Sequence, residues 1–191
     1  MSIAPAEQAY EPTGLPVGRM AMWWFLASEV AIFGGLITIY VLNRVKHPEW
    51  TEQASHMVQW AGALNTFVLL ASSFAVVKAH LAAHEGAFEK ASKLLFATVG
   101  MGFVFLCVKA YEYTHEFAEG FTPVTDLYWS FYFLMTGLHA LHVIGGMVAI
   151  TIIALGVRRG QHGHRVEYVG MYWHIVDIVW IFLFPLLYLT G

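Results

Sequence analysis

The chain has 191 residues, of which 58% are hydrophobic and 12% are charged, and its net charge is −3. Soluble domains carry about 25% charged residues, so this composition excludes an ordinary soluble domain and favours an all-α polytopic membrane protein. A negative net charge without a basic cluster argues against nucleic-acid binding. The single cysteine, Cys107, excludes an internal disulfide and any Cys-x-x-Cys metal or redox motif.

Five apolar segments follow a tail that we assign to residues 1–19. They cover approximately 20–42, 57–77, 94–113, 128–157 and 169–190. Each reaches the roughly 20 residues that a helix needs to cross the hydrocarbon core, and none alternates polar and apolar residues as barrel strands do. The acidic tail and the length of the first segment argue against a cleaved signal peptide. The sequence therefore predicts one five-helix transmembrane bundle over residues 20–191, without an internal repeat.

Lysine and arginine residues predict the orientation of this bundle in the membrane. The loop at 116–126 contains only acidic charges, and Arg44 and Lys46 are the only basic residues in the connections on that side. The connections and flanks on the side of the tail carry seven, namely Arg19, Lys78, Lys90, Lys93, Arg158, Arg159 and Arg165. The N-terminus is therefore predicted to be cytoplasmic and the C-terminus periplasmic.

Glu29 is an ionisable residue in the first predicted helix, about 14 Å from its start at 1.5 Å per residue. It shares a stripe with Met22, Phe25, Phe33 and Leu36, so its carboxyl group should face other helices rather than lipid. The simpler interpretation is a protonated carboxyl that donates one hydrogen bond. The alternative is a group in or beside a proton route.

Lys109 and Glu112 share a face near the outer end of the third predicted helix and are predicted to form an ion pair. Glu112-Tyr-Thr-His115 also has the Glu-x-x-His spacing of di-iron bundles. Such bundles require two of these motifs and two further glutamates, and this chain has no second copy. His115 also falls at the membrane edge, so the di-iron interpretation is disfavoured.

Two histidines, His139 and His142, lie on one stripe of the fourth predicted helix with Gly146 and Ala149. A zinc, copper or iron site needs three or more converging ligands. The sequence offers no convincing third ligand, so structural hydrogen bonding is the favoured interpretation and metal ligation the alternative. We expect no metal or other cofactor bound by this chain itself.

His174 and Asp177 lie three residues apart on the fifth predicted helix, on a stripe with Gly170 and Ile181. An ionisable group at bilayer depth costs on the order of 3 kcal/mol on insertion scales, so these two must face protein. We expect a fixed structural pair of His174 with Asp177.

In chain order, several motifs resemble subunit III of haem-copper respiratory oxidases. Ser28-Glu-Val-Ala-Ile-Phe-Gly34 is similar to the family's helix with a buried glutamate, and Leu64-Asn-Thr-Phe-Val-Leu-Leu-Ala-Ser72 is similar to its next helix. The remaining motifs are Ala79-His80 with Glu85-Gly86, Glu112-Tyr113, Thr136-Gly-Leu-His-Ala-Leu-His-Val143 and Tyr172-Trp-His-Ile-Val-Asp-Ile-Val-Trp180. The resemblance extends from about Trp24 to the end of the chain.

This resemblance implies a non-catalytic subunit of a terminal cytochrome c or quinol oxidase, which reduces oxygen and pumps protons in aerobic electron transport. It implies direct contact with subunit I, contact with subunit II and further small subunits, and a place in the bacterial inner (plasma) membrane. Haem and copper would belong to partner subunits. The implied role is to bind phospholipid, support proton uptake and stabilise the catalytic subunit during turnover. Candidate residues for proton uptake are Glu29, His139, His142, His174 and Asp177.

Two departures from the long form of the family leave alternatives open. The long form has seven helices, and the two that this chain lacks help to form a lipid-holding cleft there. That cleft must be absent, smaller or completed by another subunit. Lys109 replaces the usual glutamine and, with the ending Phe184-Pro-Leu-Leu-Tyr188, also suits a short homologue associated with nitric oxide reductases. From a different class, an independent transporter or metal enzyme is the remaining alternative, although transporters favour broken helices and repeats.

Overall fold

The computed structural model describes residues 17–161 and 163–189, and these residues are almost entirely helical, with no strand among them. The elements in chain order are α1 (Val17–Lys46), α2 (Trp50–Ser55), α3 (Gln59–His84), α4 (Phe88–Ala118), α5 (Leu127–Arg158), a 3-10 turn (Gly163–Arg165) and α6 (Val166–Tyr188).

Five of these helices, all except α2, are long and apolar enough to span a membrane, which confirms the predicted all-α transmembrane bundle. The helices extend beyond the apolar segments because the polar turns at their ends continue the helix outside the hydrocarbon core. For example, α4 begins at Phe88 and ends at Ala118, whereas its apolar segment covers 94–113. Helix α1 already begins at Val17, so the last residues of the predicted tail are helical. Residues 1–16, 162, 190 and 191 lie outside the described residues.

Contacts between distant residues define the two ends of the bundle. At one end, which we call the N-side, Arg19 at the start of α1 forms an ion pair with Glu167 at the start of α6, with Nη2 2.8 Å from Oε1. At the other end, the C-side, Gln53 of α2 donates to Asp126 before α5 at 2.7 Å. The α3–α4 and α5–α6 connections lie at the N-side, and α2 and the α4–α5 loop lie at the C-side.

The C-terminal end of α4 is closed by a glycine turn that positions the loop at the C-side. Gly120 has φ +90°, a left-handed conformation that residues with a Cβ rarely adopt. Phe121 N then donates to the Glu116 carbonyl at 2.9 Å, and Gly120 N donates to the Phe117 carbonyl at 3.1 Å. Helices α3 and α5 end in the same way. The backbone at the end of α4 is therefore held by local hydrogen bonds.

The core lies among α3, α4, α5 and α6, while α1 packs mainly against α6. Its largest fully buried side chains include Trp129, Trp173 and Trp180. Small residues permit this close packing. A Cβ at Gly146 of α5 would lie 2.8 Å from the Trp173 ring of α6, and one at Gly62 of α3 would lie 2.7 Å from Phe184.

Candidate functional site

Lys109 is buried among α4, α5 and α6, with 3% of its surface exposed. Its Nζ donates to Glu112 Oε2 at 3.0 Å, to the Tyr132 hydroxyl at 3.1 Å and to the Tyr188 hydroxyl at 2.8 Å. An ammonium group has three hydrogens to donate, so all of them have acceptors. Nζ also lies 4.9 Å from the centre of the Tyr113 ring, within cation–π range. These residues form what we call the Lys109 cluster.

The sequence indicates only part of this cluster. Lys109 and Glu112 are neighbours on one helix, and the structure gives them the predicted ion-pair contact. The two tyrosines come from α5 and α6, 23 and 79 positions away from Lys109, and no local pattern marks them as its partners. They replace the water that an ammonium group would lose on burial.

Glu29 of α1 is also buried, with 7% of its surface exposed, and its Oε2 lies 2.9 Å from His142 Nε2 of α5. The two atoms are within ion-pair distance but are not aligned for a hydrogen bond. His142 Nδ1 lies 2.8 Å from the Leu138 carbonyl, which can only accept, so Nδ1 must carry a hydrogen. His142 Nε2 is therefore the ring nitrogen that faces Glu29. The stripe on α1 predicts that Glu29 faces protein, but not that His142 is its partner.

His139 and His142 share a sequence motif but contact different helices. His139 is fully buried, and its ring centre lies 5.4 Å from that of Phe105 on α4 and 5.2 Å from that of Trp180 on α6. Neither nitrogen of the His139 ring has a hydrogen-bond partner among the described residues. No group of three metal-ligating side chains in residues 17–161 and 163–189 includes either histidine.

His174 and Asp177 do not form the expected pair, because both turn towards α3 instead. His174 Nδ1 lies 2.7 Å from the hydroxyl oxygen of Ser73. Asp177 is buried, and neither of its carboxyl oxygens has a partner in the described part of the chain. A neighbouring hydrogen bond also joins α3 and α6, because Trp173 Nε1 donates to Ser72 Oγ at 2.8 Å.

Within the part of the chain that the structure describes, one set of potential metal ligands converges, contrary to the expectation that no three would do so. His115, Glu116 and Glu119 lie at the C-side end of α4 with one ligand atom each, all within 4.8 Å of one another. The spacing of Glu112 with His115 does not predict this set of ligands. His115 and Glu119 are one helical turn apart, and this spacing is the signal in the sequence that indicates it.

The fold and these contacts define a polytopic membrane protein with five spans, whose buried ionisable groups lie between helices rather than towards lipid. Residues 12–191 match the model of the family described as cytochrome c oxidase subunit III. The chain belongs to this family, as its sequence motifs predict.

Individual relatives cover most of the chain. Cytochrome c oxidase subunit 3 of Thermostichus vulcanus is 34% identical over 170 residues, which are 86% of this chain and 83% of that protein. Probable quinol oxidase subunit 3 of Staphylococcus aureus (strain USA300) is 30% identical over 183 residues, 92% of this chain and 90% of that one. Heme-copper oxidase subunit I+III of Aeropyrum pernix is 34% identical over 184 residues, 90% of this chain but 22% of that protein.

Proposed function

We propose that this chain is the non-catalytic subunit III of a proton-pumping haem-copper terminal oxidase and packs directly against subunit I in the bacterial inner membrane. The family match over residues 12–191 carries the proposal. The Aeropyrum pernix relative supports the direct contact, because its name places subunits I and III in one chain. Subunit II and further small subunits are the other proposed partners, and haem and copper are assigned to the partner subunits.

The proposed orientation places the N-side in the cytoplasm. Arg19, Lys90 and Arg165 lie at this end, together with four more of the ten lysine and arginine residues. The positive-inside rule favours that side for cytoplasmic exposure. Glu29 and His142 then lie within the membrane on α1 and α5, where a proton entering from the cytoplasm could reach them.

In this proposal the Glu29–His142 pair supports proton uptake by subunit I. The carboxyl group of Glu29 and the imidazole of His142 are both proton-binding groups, and they already lie 2.9 Å apart without movement of a helix. Phe33 packs edge-on against the His142 ring, with ring centres 5.2 Å apart, and shields the pair from lipid on one side.

Lipid binding is the second part of the proposed role. An apolar groove of about 310 Å³ lies between α1 and α6, beside Phe33, and can accept a phospholipid acyl chain. Its lining is Val30, Phe33, Gly34, Ile37, Thr38, Ile175, Ile178, Val179 and Phe182. The test is Gly34→Phe, which should fill the groove and lower the phospholipid retained by the purified complex. Gly35→Phe is the matched control, because both glycines have open space at the Cβ position but Gly35 does not line the groove.

The central experiment is purification of the membrane complex through an affinity tag on this chain. We expect a haem absorption spectrum and oxygen consumption in the purified material. A complex that reduces nitric oxide and not oxygen would instead support the homologue associated with nitric oxide reductases. Purification of the chain without any haem protein would overturn both assignments and favour an independent membrane protein.

The role of Glu29 is tested with Glu29→Ala in the same complex. We expect a normal haem spectrum and initial rate, but a faster decay of oxygen consumption during turnover. Glu52→Ala is the control, because Glu52 is exposed on α2 at the opposite end. Unchanged decay in the Glu29 variant, with the subunit still bound, would mean that Glu29 has only a structural role.

A further inference from the structure

The end of α4 at the C-side presents three metal-ligating side chains to one another. His115, Glu116 and Glu119 each contribute one ligand atom to a group that spans less than 4.8 Å. His115 Nε2 and Glu119 Oε1 are 3.8 Å apart. None of these three residues belongs to the Lys109 cluster or to the Glu29–His142 pair.

Glu116 is the residue that distinguishes this group from a surface cluster of acids. It is fully buried, and neither of its carboxyl oxygens has a hydrogen-bond partner among the residues that the structure describes. The buried Nδ1 of His115 also lacks a partner there. Buried polar groups are normally hydrogen-bonded, and a buried carboxylate without a partner is costly. A bound cation would satisfy the Glu116 carboxylate.

The charge around the group also favours a cation. The loop from Glu116 to Asp126 contains three carboxylates and no lysine or arginine. Two turns before Glu116, Lys109 already donates all its hydrogens to Glu112, Tyr132 and Tyr188. The second oxygen of Glu112 is nevertheless left without a partner. Lys109 therefore forms its ion pair with Glu112, and the described residues show no ion pair between Lys109 and Glu116.

Hydrogen bonds fix the backbone that carries the three ligands. Glu119 N donates to the His115 carbonyl at 3.1 Å, and Phe121 N donates to the Glu116 carbonyl at 2.9 Å through the turn at Gly120. Only side-chain rotation is then needed to close the site. Tetrahedral zinc with bonds of about 2.0–2.2 Å places its ligand atoms about 3.3–3.5 Å apart, slightly closer than His115 and Glu119 are here. Glu119 can make this adjustment because its side chain is 42% exposed.

We propose that His115, Glu116 and Glu119 form a binding site for one divalent cation of the zinc class. Imidazole is a good ligand for zinc and its transition-metal neighbours, whereas calcium and magnesium prefer oxygen ligands alone. Three protein ligands leave at least one position open for water or for a group from a neighbouring subunit. This site does not depend on the proposed oxidase function, because its ligands all come from this chain.

The experiment is a zinc titration of the full-length chain in detergent, after removal of any polyhistidine tag, followed by calorimetry. Cobalt serves as a second probe, since its visible absorption reports a site with nitrogen and oxygen ligands. We expect one high-affinity equivalent in the unmodified chain. Glu116→Gln and His115→Gln should each weaken that binding on the order of 100-fold, because even residues that only orient metal ligands contribute 10–100-fold.

The matched control is Glu49→Gln. His47 and Glu49 also form a histidine–glutamate contact at the C-side, with Nδ1 2.7 Å from Oε1, but no third ligand joins them within residues 17–161 and 163–189. A backbone hydrogen bond and His47 hold the pKa of Glu49 below its ordinary value, so this carboxylate is ionised and available to a cation. We expect Glu49→Gln to leave the high-affinity equivalent unchanged.

Glu119→Gln is a further, separate test of the site. The side chain of Glu119 is exposed, so this substitution should not disturb the fold. We expect it to weaken zinc binding as well, with helical content and gel-filtration profile unchanged. Unaltered affinity in folded Glu119→Gln or Glu116→Gln would overturn the proposal. An equal loss of affinity in Glu49→Gln would also overturn it, because the binding would then be non-specific chelation at the surface.

Discussion

The Lys109 cluster and the Glu29–His142 pair both bring an acidic and a basic side chain together inside the transmembrane bundle, but the two regions are built differently. Lys109 lies in the core among α4, α5 and α6, and all three of its donors are satisfied. Glu29 has one ion-pair contact among the described residues, with His142, at the boundary where α1 joins the other helices. The comparison indicates that the Lys109 cluster joins three helices of the core, whereas the Glu29–His142 pair joins α1 to α5 through one contact.

Asp177 provides a third case, because it is buried and neither of its carboxyl oxygens has a hydrogen-bond partner among the described residues. The three sites therefore form a series from a lysine with all its donors satisfied, through a single ion-pair contact, to a carboxyl group without a hydrogen bond. The following substitutions test whether the energetic cost follows the same series.

Lys109→Met should have the largest effect. It leaves Glu112 buried without its counter-charge, and breaking one partner of a buried pair costs about 3–5 kcal/mol. We expect a large fall in thermal stability in detergent and little subunit in the purified complex. The double variant Lys109→Met with Glu112→Leu should recover much of the stability, since replacement of both partners by apolar residues is often neutral. A single variant as stable as the unmodified chain would show that the cluster is not structural.

Gly146→Ala should have the next largest effect, and it tests the close approach of α5 and α6, the helices that supply two tyrosines to the Lys109 cluster. Its new methyl group would lie 2.8 Å from the Trp173 ring, and such overpacking costs about 1–3 kcal/mol. Gly145→Ala is the matched control, because its methyl group would lie 3.5 Å from the Tyr172 hydroxyl, an ordinary contact. Thermal denaturation of both variants should separate them clearly. Equal midpoints would mean that the helices can move apart without cost.

Glu29→Gln and His142→Gln should each have a smaller effect on stability. Interhelical polar contacts in membranes contribute about 0.6 kcal/mol on average and about 1.7 kcal/mol at most. We expect a modest fall in the denaturation midpoint, and the double variant should be no worse than the less stable single variant. Additive losses in the double variant would show that the two side chains act independently and would remove the basis for a shared proton.

Asp177→Asn should have the smallest effect, because asparagine has nearly the same size and neither carboxyl oxygen of Asp177 has a hydrogen-bond partner among the described residues to lose. Ser73→Ala is the informative comparison, since it removes the hydrogen bond to His174 at 2.7 Å. We expect the serine variant to be the less stable of the two in the same denaturation measurement. The reverse order would mean that Asp177 has a partner that stabilises the chain.

Much of the fold follows from the sequence because its signals are local. The number of spans follows from runs of about 20 apolar residues, since a helix in lipid must satisfy its own backbone hydrogen bonds. The Lys109–Glu112 contact follows from positions three residues apart on one helix. The stripe around Glu29 indicates that this residue faces protein. Five apolar helices and their motifs were therefore sufficient to predict the architecture and the family.

The partners of the polar residues were decided by tertiary structure alone. Neighbouring positions such as His139 and His142 contact different helices, and the expected pair of His174 with Asp177 gives way to contacts with α3. The spacing of His115 with Glu119 is visible in the sequence, but the burial of Glu116 beside them is not. The physical reason is that a polar stripe shows which face of a helix turns towards protein, but not which neighbouring helix that face meets. Only the packing of large and small side chains selects which polar groups meet.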